Sequence, residues 1–203
     1  VTTRSLGRLT MTDGKVLIVG FGTLLDRGSL GNTIGAGSAD EKVYIPVIVE
    51  GYRRLFNLKP DHYTPSHRIF EDDREMAAAN VEPAEGHRFN GLAFEVDKSE
   101  LGELDKRERY YRREAVTILD FQSGEAIGEG LTYISELDAR WIVRDNDLLM
   151  PLWRDYVYAR RGAYGISQAF GQMYDETTFL ADGVTPLARF YADHLTDTLK
   201  PDA

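Results

Sequence analysis

The stretch Lys15-Val-Leu-Ile-Val-Gly-Phe-Gly-Thr-Leu-Leu25 decides how the rest of the chain is interpreted. Its first half, up to Gly20, is a continuous apolar run, which is typical of a strand that is buried on both faces. The glycines at the end of this strand allow a ligand to approach the backbone closely, and free N–H groups there can hold an anion. The residues from Phe21 to Leu25 therefore form a candidate binding turn.

A dinucleotide-binding fingerprint is an alternative interpretation of Gly20-Phe21-Gly22. The third glycine of that fingerprint would fall at position 25, which is occupied by Leu25. The residues that follow predict a run of strands, whereas the Rossmann fold requires a helix and then a second parallel strand. The sequence therefore disfavours the Rossmann fold.

Strand patterns dominate the middle of the chain. Predicted strands cover residues 42–50, 52–57, 75–81, 89–96, 114–121 and 127–134, and the turns between them include Gly51, residues 83–86 and residues 122–125. Pro46 suggests that the first of these strands is an edge strand or carries a bulge. The residues from 26 to 40 are rich in glycine, serine and asparagine and predict a flexible loop that could cover a site.

Helical periodicity replaces the strand pattern from Leu137 onward. It produces three apolar stripes, and the third opens at Thr185-Pro186. Six or seven strands with one short helix between them do not alternate as a doubly wound sheet requires. We therefore predict an α+β fold, with a mixed, barrel-like sheet of six to seven strands on which the C-terminal helices pack.

The predicted domain organisation is simple. At 203 residues, of which 42% are apolar, the chain has the size and composition of one globular domain. Residues 1–14 are polar and aperiodic and are predicted to be a flexible leader, with Met11 as a possible natural start. Residues 15–203 then form a single domain, and residues 137–203 are its helical C-terminal extension.

Glu108 is predicted to point inward from the end of a short helix. Asp97-Lys-Ser-Glu100 is a capping-box variant, which indicates that a helix runs from there to about Glu108. Leu101, Leu104 and Glu108 fall at i, i+3 and i+7, so the glutamate shares the apolar face of this helix. By the same phase, Arg107 and its polar neighbours Glu103 and Lys106 point elsewhere.

Two roles for Glu108 are open at this point. A carboxylate in apolar surroundings either pairs with a cation or has its pKa raised by desolvation, and a raised pKa suits a general acid/base. The arginines at positions 107, 109, 112 and 113 could make Glu108 part of an ordinary buried ion pair.

Composition excludes or disfavours several functional classes. The absence of cysteine excludes disulfides, thiolate zinc sites and a cysteine nucleophile. The net charge of −9 disfavours nucleic acid as a partner, because such binding depends on lysine and arginine contacts to phosphate. His62 and His67 lack the helical spacing of a metal pair, so no metal site is expected. The apolar run Val16–Val19 is far too short for a membrane span, and we expect a cytoplasmic protein without a membrane partner.

Separated segments of the chain together resemble one protein family. They are Phe21-Gly-Thr-Leu-Leu25, Gly51-Tyr-Arg-Arg-Leu-Phe56, Asn80-Val-Glu-Pro83 with Gly91-Leu-Ala-Phe94, the segment from Leu104 to Tyr111, and Tyr156 with Gly162-Ala163. Their order, over about residues 16 to 165, is similar to that in the γ-glutamylcyclotransferases and their AIG2-like and butirosin-pathway (BtrG-like) relatives. The segment from Leu104 to Tyr111 resembles the one that bears the catalytic glutamate of that family.

The resemblance implies an activity and a site. A γ-glutamyl group would lie in a cavity of the barrel, with Glu108 as the catalytic residue and with Phe21, Gly22, Thr23, Leu24, Leu25 and Tyr111 as substrate-binding residues. Glu108 would take a proton from the α-amino group, which then attacks the γ-carbonyl and releases an amine and 5-oxoproline. Neither a cofactor nor a metal is implied.

The hypothesis is therefore a γ-glutamylcyclotransferase-type enzyme with a small γ-glutamyl substrate. The family's usual tyrosine and serine are replaced here by Phe21 and Thr23, and Arg109 stands where relatives often carry a small residue. An unusual γ-glutamyl amine is thus as good a candidate as glutathione or a γ-glutamyl amino acid. The alternatives are a binding protein of the same fold that does not cleave its ligand, and a related γ-glutamyl transferase or amidohydrolase. The oligomeric state is not assigned.

Overall fold

A computed structural model describes residues 14–61, 74–135 and 140–194. The predicted leader lies outside the described residues except for Gly14, and so do His62 and His67. The described strands are β1 (Val16–Gly20), β2 (Ile45–Leu58), β3 (Glu75–Val96), β4 (Arg112–Asp120), β5 (Ala126–Ile134), β6 (Leu149–Pro151) and β7 (Thr178–Phe179). The described helices are α1 (Arg27–Ile34), α2 (Ala36–Glu41), α3 (Lys98–Arg107), α4 (Trp153–Ile166), α5 (Gln168–Glu176) and α6 (Leu187–His194), and Thr23–Leu25 form a 3₁₀ turn.

The strands form one mixed sheet in the order β6-β3-β1-β5-β4-β2-β7. Because β2 also pairs with β3, the strands β3, β1, β5, β4 and β2 close into a ring. Strand β1 pairs antiparallel with β3 and parallel with β5, which gives the sheet its mixed character. The predicted α+β fold with a mixed sheet of six to seven strands is confirmed, with seven strands in the described residues, and the sheet is ring-like rather than a true barrel.

Helix α3 begins as the capping box predicts. The Asp97 side chain accepts hydrogen bonds from the N–H groups of Ser99 and Glu100, and the Glu100 side chain accepts one from the Asp97 N–H. Leu104 on the inner face is fully buried. The N–H of Glu108 donates to the Leu104 carbonyl at 2.8 Å, so Glu108 caps the C-terminal end of the helix. The two caps fix the length of the helix and with it the direction of Glu108.

The prediction of a flexible loop over residues 26–40 is wrong, because these residues form helices α1 and α2. Asp26 caps α1 by accepting a hydrogen bond from the Ser29 N–H at 2.9 Å. The Glu100 carboxylate of α3 then binds Ser38 in α2 and Lys42 just beyond it. Glycine lowers intrinsic helix propensity, but the Asp26 cap stabilises α1 and the contacts with Glu100 of α3 stabilise α2.

Two long strands replace four predicted short ones. Strand β2 continues through Gly51, whose φ of +79° accommodates a shift of register against β3 between Glu50 and Tyr52. Strand β3 continues through the predicted turn at residues 83–86. Pro46 lies in an interior strand, because β2 pairs with β3 and β4, and the irregularity falls at Gly51 rather than at the proline.

The three predicted C-terminal helices are present and pack on the ring. Their buried residues Tyr156, Phe170 and Tyr174 belong to the same apolar cluster as Phe56 and Phe89 of the sheet. Each buried side chain of this size contributes about 1.5–3 kcal/mol to stability. The same region also supplies the short strands β6 and β7. In the described part of the chain, no helix has both the length and the apolar character needed to cross a membrane.

Helix α4 touches the 3₁₀ turn at Gly162. A Cβ atom at this position would lie 2.4 Å from the Leu25 carbonyl oxygen and 2.8 Å from the Asp26 nitrogen. Since both are backbone atoms, no side-chain rotation can relieve the overlap. A residue without a side chain is therefore required for α4 to approach the turn this closely.

Replacement of this glycine tests the contact. We expect Gly162→Ala to lower the free energy of unfolding by about 1–3 kcal/mol, the usual cost of overpacking, as measured by urea denaturation. Gly165→Ala is the matched control on the same helix, because a Cβ there meets no atom within 4 Å. That variant should keep or raise stability, by up to about 1 kcal/mol from helix propensity. Equal stabilities of the two variants would contradict the proposed contact.

Candidate active site

A cavity of about 250 Å³ lies beside the 3₁₀ turn. It brings together six of the seven predicted site residues, since Leu25 is packed in the apolar core and not on the cavity wall. The remaining wall comes from strands β1, β2, β3 and β5, the segment after α3, and the first turn of α4. The lining residues are Val19, Phe21, Gly22, Thr23, Leu24, Leu58, Pro60, Ala78, Ala79, Arg107, Glu108, Tyr110, Tyr111, Tyr133, Arg154 and Asp155.

Glu108 lies on the cavity wall with its side chain 16% exposed. Burial raises the pKa of its carboxyl group above the ordinary value. The Arg107 guanidinium opposes this shift of the pKa, and the Asp155 carboxylate adds to it. The effect of burial exceeds that of Arg107, so Glu108 holds its proton more tightly than a solvated glutamate does.

One of the four neighbouring arginines forms an ion pair with Glu108. The Arg107 Nε atom lies 3.1 Å from Glu108 Oε1. The other three bind different carboxylates: Arg109 pairs with Asp61, Arg112 with Glu114 and Arg113 with Asp105. The Glu108 carboxyl group therefore lies on a cavity wall and also has a cationic neighbour. This geometry is compatible with both roles considered for it, acid/base chemistry and an ion pair.

The turn from Phe21 to Leu25 is held by hydrogen bonds from both of its ends. The N–H groups of Leu25 and Asp26 donate to the carbonyl oxygens of Gly22 and Thr23 at 3.0 and 3.1 Å. The Phe21 carbonyl accepts a hydrogen bond from the buried Arg54 at 3.1 Å. The N–H groups of Gly22, Thr23 and Leu24 precede the first bond of the turn, and helix geometry leaves them without a partner inside it. Such groups are suited to bind an anion.

Tyrosine rings line part of the cavity. The Tyr111 hydroxyl donates to the Ala79 carbonyl, and the Tyr133 hydroxyl donates to the Asp105 carboxylate at 2.9 Å. Burial and the neighbouring Asp105 raise the pKa of Tyr133, so this residue is neutral at physiological pH. Both hydroxyl groups are engaged by the protein, and both residues line the cavity.

Three charged residues of the cavity, Arg107, Arg154 and Asp155, were not predicted as site residues from the sequence. Helical phase directed Arg107 away from the apolar face, but its side chain is only 23% exposed and reaches Thr23 and α1. Arg107 is the last residue of α3, where a long side chain can bend around the helix end. Asp155 lies in the first turn of α4, where an acidic residue is expected from the helix dipole alone, so it gave no separate signal. Among the described residues, no three side chains are grouped as metal ligands.

Comparison with known proteins gives a family and a fold. Residues 40–153, more than half of the 203-residue chain, match the family model described as gamma-glutamyl cyclotransferase, AIG2-like. The fold is similar to that of the human protein loc79017, which is described as uncharacterized, with a TM-score of 0.58, 13% identity, and coverage of 80% of this chain and 87% of that one.

Two further solved structures share the fold. A gamma-glutamyl cyclotransferase matches with a TM-score of 0.56 and 12% identity, over 79% of this chain and 86% of that one. YkqA from Bacillus subtilis matches with a TM-score of 0.59 and 17% identity, over 86% of this chain and 56% of that one. At these identities the similarity concerns the fold alone. No curated protein sequence matches the chain.

The raised pKa of Glu108 predicts a pH dependence of stability. The folded protein binds this proton more tightly than the unfolded chain does, so the contribution of Glu108 is full below the ordinary glutamate pKa and is lost as pH rises through the raised value. The unfolding free energy of the wild type minus that of Glu108→Gln should therefore decrease between about pH 4.5 and about pH 8. Urea denaturation of both proteins at the two pH values measures this difference in unfolding free energy. An increase would mean that the Arg107 ion pair outweighs burial.

Proposed function

The chain belongs to the gamma-glutamyl cyclotransferase, AIG2-like family, and on that basis we propose that it is a γ-glutamylcyclotransferase-type enzyme acting on a small γ-glutamyl amine or γ-glutamyl amino acid. The observation that carries the proposal is the position of Glu108. Its carboxyl group is mostly buried, has a raised pKa and lines one cavity with the turn residues Phe21 to Leu24. Glu108 is the proposed general acid/base.

A base of this kind suits the first chemical step. The α-amino group of a γ-glutamyl compound is protonated near neutral pH and is not nucleophilic until it loses a proton. A carboxylate whose pKa is shifted toward neutrality accepts that proton more readily than an ordinary glutamate. Glu108 in its ionised form would take the proton, and the positive charge of Arg107 favours that ionised form.

The second step closes a ring and returns the proton. The freed α-nitrogen attacks the γ-carbonyl carbon, a carbon–nitrogen bond forms, and the bond from that carbon to the leaving amine breaks. Protonated Glu108 donates its proton to the departing nitrogen and then takes the second proton of the ring nitrogen, so the products are 5-oxoproline and a neutral amine, and Glu108 passes the remaining proton to solvent. Because the attack is intramolecular, the cavity lowers the barrier chiefly by holding the substrate folded.

The turn would hold the substrate α-carboxylate. Gly22, Thr23 and Leu24 line the cavity, and their N–H groups would donate to the carboxylate; hydrogen bonds from N–H groups to a charged oxygen are stronger than those between neutral groups. Phe21 and Tyr111 would contact the apolar part of the γ-glutamyl chain. The Tyr111 hydroxyl is bound to Ala79, so its ring is the proposed contact surface.

The ion pair between Arg107 and Glu108 favours a second candidate function. A glutamate held by an arginine could serve as a fixed part of a binding site, in a protein that binds γ-glutamyl compounds without cleaving them. Such a protein would show ligand-dependent thermal stabilisation and form no product. Incubation with a panel of γ-glutamyl amines, followed by assays for 5-oxoproline and for melting temperature, distinguishes the two functions.

The role of Glu108 is tested by Glu108→Gln. We expect 5-oxoproline formation to fall by about 100-fold or more, the usual contribution of a general acid/base, while ligand-induced thermal stabilisation persists. Glu103→Gln is the matched control, because Glu103 lies on the same helix with its side chain 51% exposed. The control should retain wild-type turnover. Unchanged turnover in Glu108→Gln would refute its assignment as the base.

The role of the turn is tested with a substrate that lacks the α-carboxylate. A 4-aminobutyramide analogue keeps the α-nitrogen and the amide carbonyl and can still close to 2-pyrrolidinone. Loss of the charge-assisted hydrogen bonds to the turn should lower kcat/KM by about 10- to 100-fold relative to the matching γ-glutamyl amide. Steady-state kinetics with product analysis measures the ratio, and equal kcat/KM values would remove the turn from substrate binding.

A further inference from the structure

Arg107 connects three parts of the cavity wall. Its Nη1 atom donates to the Ser29 carbonyl at 2.9 Å and to Thr33 Oγ1 at 2.7 Å, both in α1. Its Nη2 atom donates to Thr23 Oγ1 at 2.6 Å, in the 3₁₀ turn, and to Ser29 Oγ at 3.0 Å. The remaining N–H, on Nε, lies 3.1 Å from the Glu108 carboxylate. The turn, helix α1 and Glu108 therefore share one guanidinium group.

The full set of contacts limits what Arg107 can do. A guanidinium group carries five N–H donors and no acceptor. Four hydrogen bonds from Nη1 and Nη2 of Arg107 go to protein oxygens, and Nε lies within ion-pair distance of Glu108. To bind a substrate carboxylate in the usual two-pronged way, Arg107 would have to give up two of these contacts. An arginine in an anion-binding role normally keeps one edge open to its ligand. These contacts disfavour Arg107 as a ligand of the substrate.

We propose that Arg107 is a positioning residue, which holds Glu108, the Phe21–Leu25 turn and helix α1 together as one preorganised wall of the cavity. The inference rests on the proposed function for its link to turnover. It goes beyond that function by assigning a task to an arginine that helical phase had directed away from the site. Residues held by a supporting network react with less reorganisation than residues that are free to move.

The charges that face Glu108 come from two helices. Arg107 of α3 and Asp155 of α4 act on its pKa in opposite directions, and Arg154 lies next to Asp155 on the same wall. The tyrosines at positions 110, 111 and 133 complete the titratable groups of the described cavity wall. A variant that removes the charge of Arg107 should therefore shift the acidic limb of the pH–rate profile upward, and one that removes the charge of Asp155 should shift it downward.

Two substitutions separate the charge of Arg107 from its shape. Arg107→Met removes both the charge and the shape. We expect kcat to fall by about tenfold or more, while KM stays within about twofold of the wild type. The acidic limb of the pH–rate profile should shift upward by about one pH unit. Arg107→Lys keeps the charge and loses the planar fork. It should lower kcat while the acidic limb stays near its wild-type position. Arg112→Met, which removes an arginine that pairs with Glu114, should match the wild type.

A milder variant covers the case in which Arg107→Met does not fold. Thr33→Val removes one of the five contacts at a residue outside the cavity lining, and it should lower kcat to a smaller extent than Arg107→Met, with KM unchanged. The proposal would be overturned by one pattern in either the Arg107→Lys or the Arg107→Met variant. In that pattern KM increases, kcat is unchanged and the acidic limb of the pH–rate profile does not move. That result would identify Arg107 as a substrate ligand.

A second measurement tests the proposed role of Arg107 without depending on the proposed reaction. The Glu108 carboxyl resonance, assigned by its loss in Glu108→Gln, can be titrated by carbon-13 NMR without any substrate. Its pKa should rise in Arg107→Met, fall in Asp155→Asn and stay constant in Arg112→Met. If the wild type forms no 5-oxoproline, the proposed reaction fails while this titration still tests the arrangement. A Glu108 pKa that is the same in the wild type and in Arg107→Met would overturn the assignment.

Discussion

The buried charge of Arg54 is the constraint on which the arrangement of the sheet and the site depends. This residue of β2 is fully buried, and burial lowers its pKa to about 10, so it stays charged at physiological pH. Burying a charge is costly unless its hydrogen bonds are satisfied. Arg54 is satisfied by six hydrogen bonds to neutral oxygens, and its guanidinium lies 4.0 Å from the centre of the Tyr174 ring. The acceptors are Phe21 O, Asn90 O, Asn90 Oδ1, Tyr174 O, Thr177 Oγ1 and Thr178 Oγ1.

Because these acceptors lie in β3, in α5, at the start of β7 and at Phe21 just before the 3₁₀ turn, one side chain sets the relative positions of several elements. The consequence for the site lies at Phe21, whose carbonyl is fixed from the core by Arg54, while Thr23 is held from the cavity wall by Arg107. A short turn that contains Gly22 has considerable conformational freedom of its own. Two guanidinium groups remove that freedom and leave the N–H groups of the turn in a defined place, which is what anion binding without reorganisation requires.

Local sequence signals predicted those elements that are stabilised locally. The capping box from Asp97 to Glu100 predicted α3, the apolar run before Gly20 predicted β1, and the turn around Gly124 predicted the pairing of β4 with β5. Helices α1 and α2 could not be predicted in this way, because their glycine-rich sequence has low helix propensity and their support comes from Arg107 and Glu100, more than fifty residues away in the sequence. Such contacts exist only after the chain has folded.

The candidate site likewise combines residues that local sequence signals predicted with residues that only the folded chain brings together. The inward direction of Glu108 followed from helical phase, and the turn followed from its glycines, whereas the contribution of Asp155 depends on how α4 packs against the turn. From the sequence, an ion pair and acid/base chemistry were alternative roles for Glu108, whereas in the structure one geometry is compatible with both. Arg107 donates four hydrogen bonds to neutral oxygens, and only its Nε lies near the Glu108 carboxylate. The effect of burial on the Glu108 pKa exceeds that of the arginine. A counter-charge held in this way limits the upward shift of the Glu108 pKa without cancelling it, which is the balance that the proposed acid/base role requires.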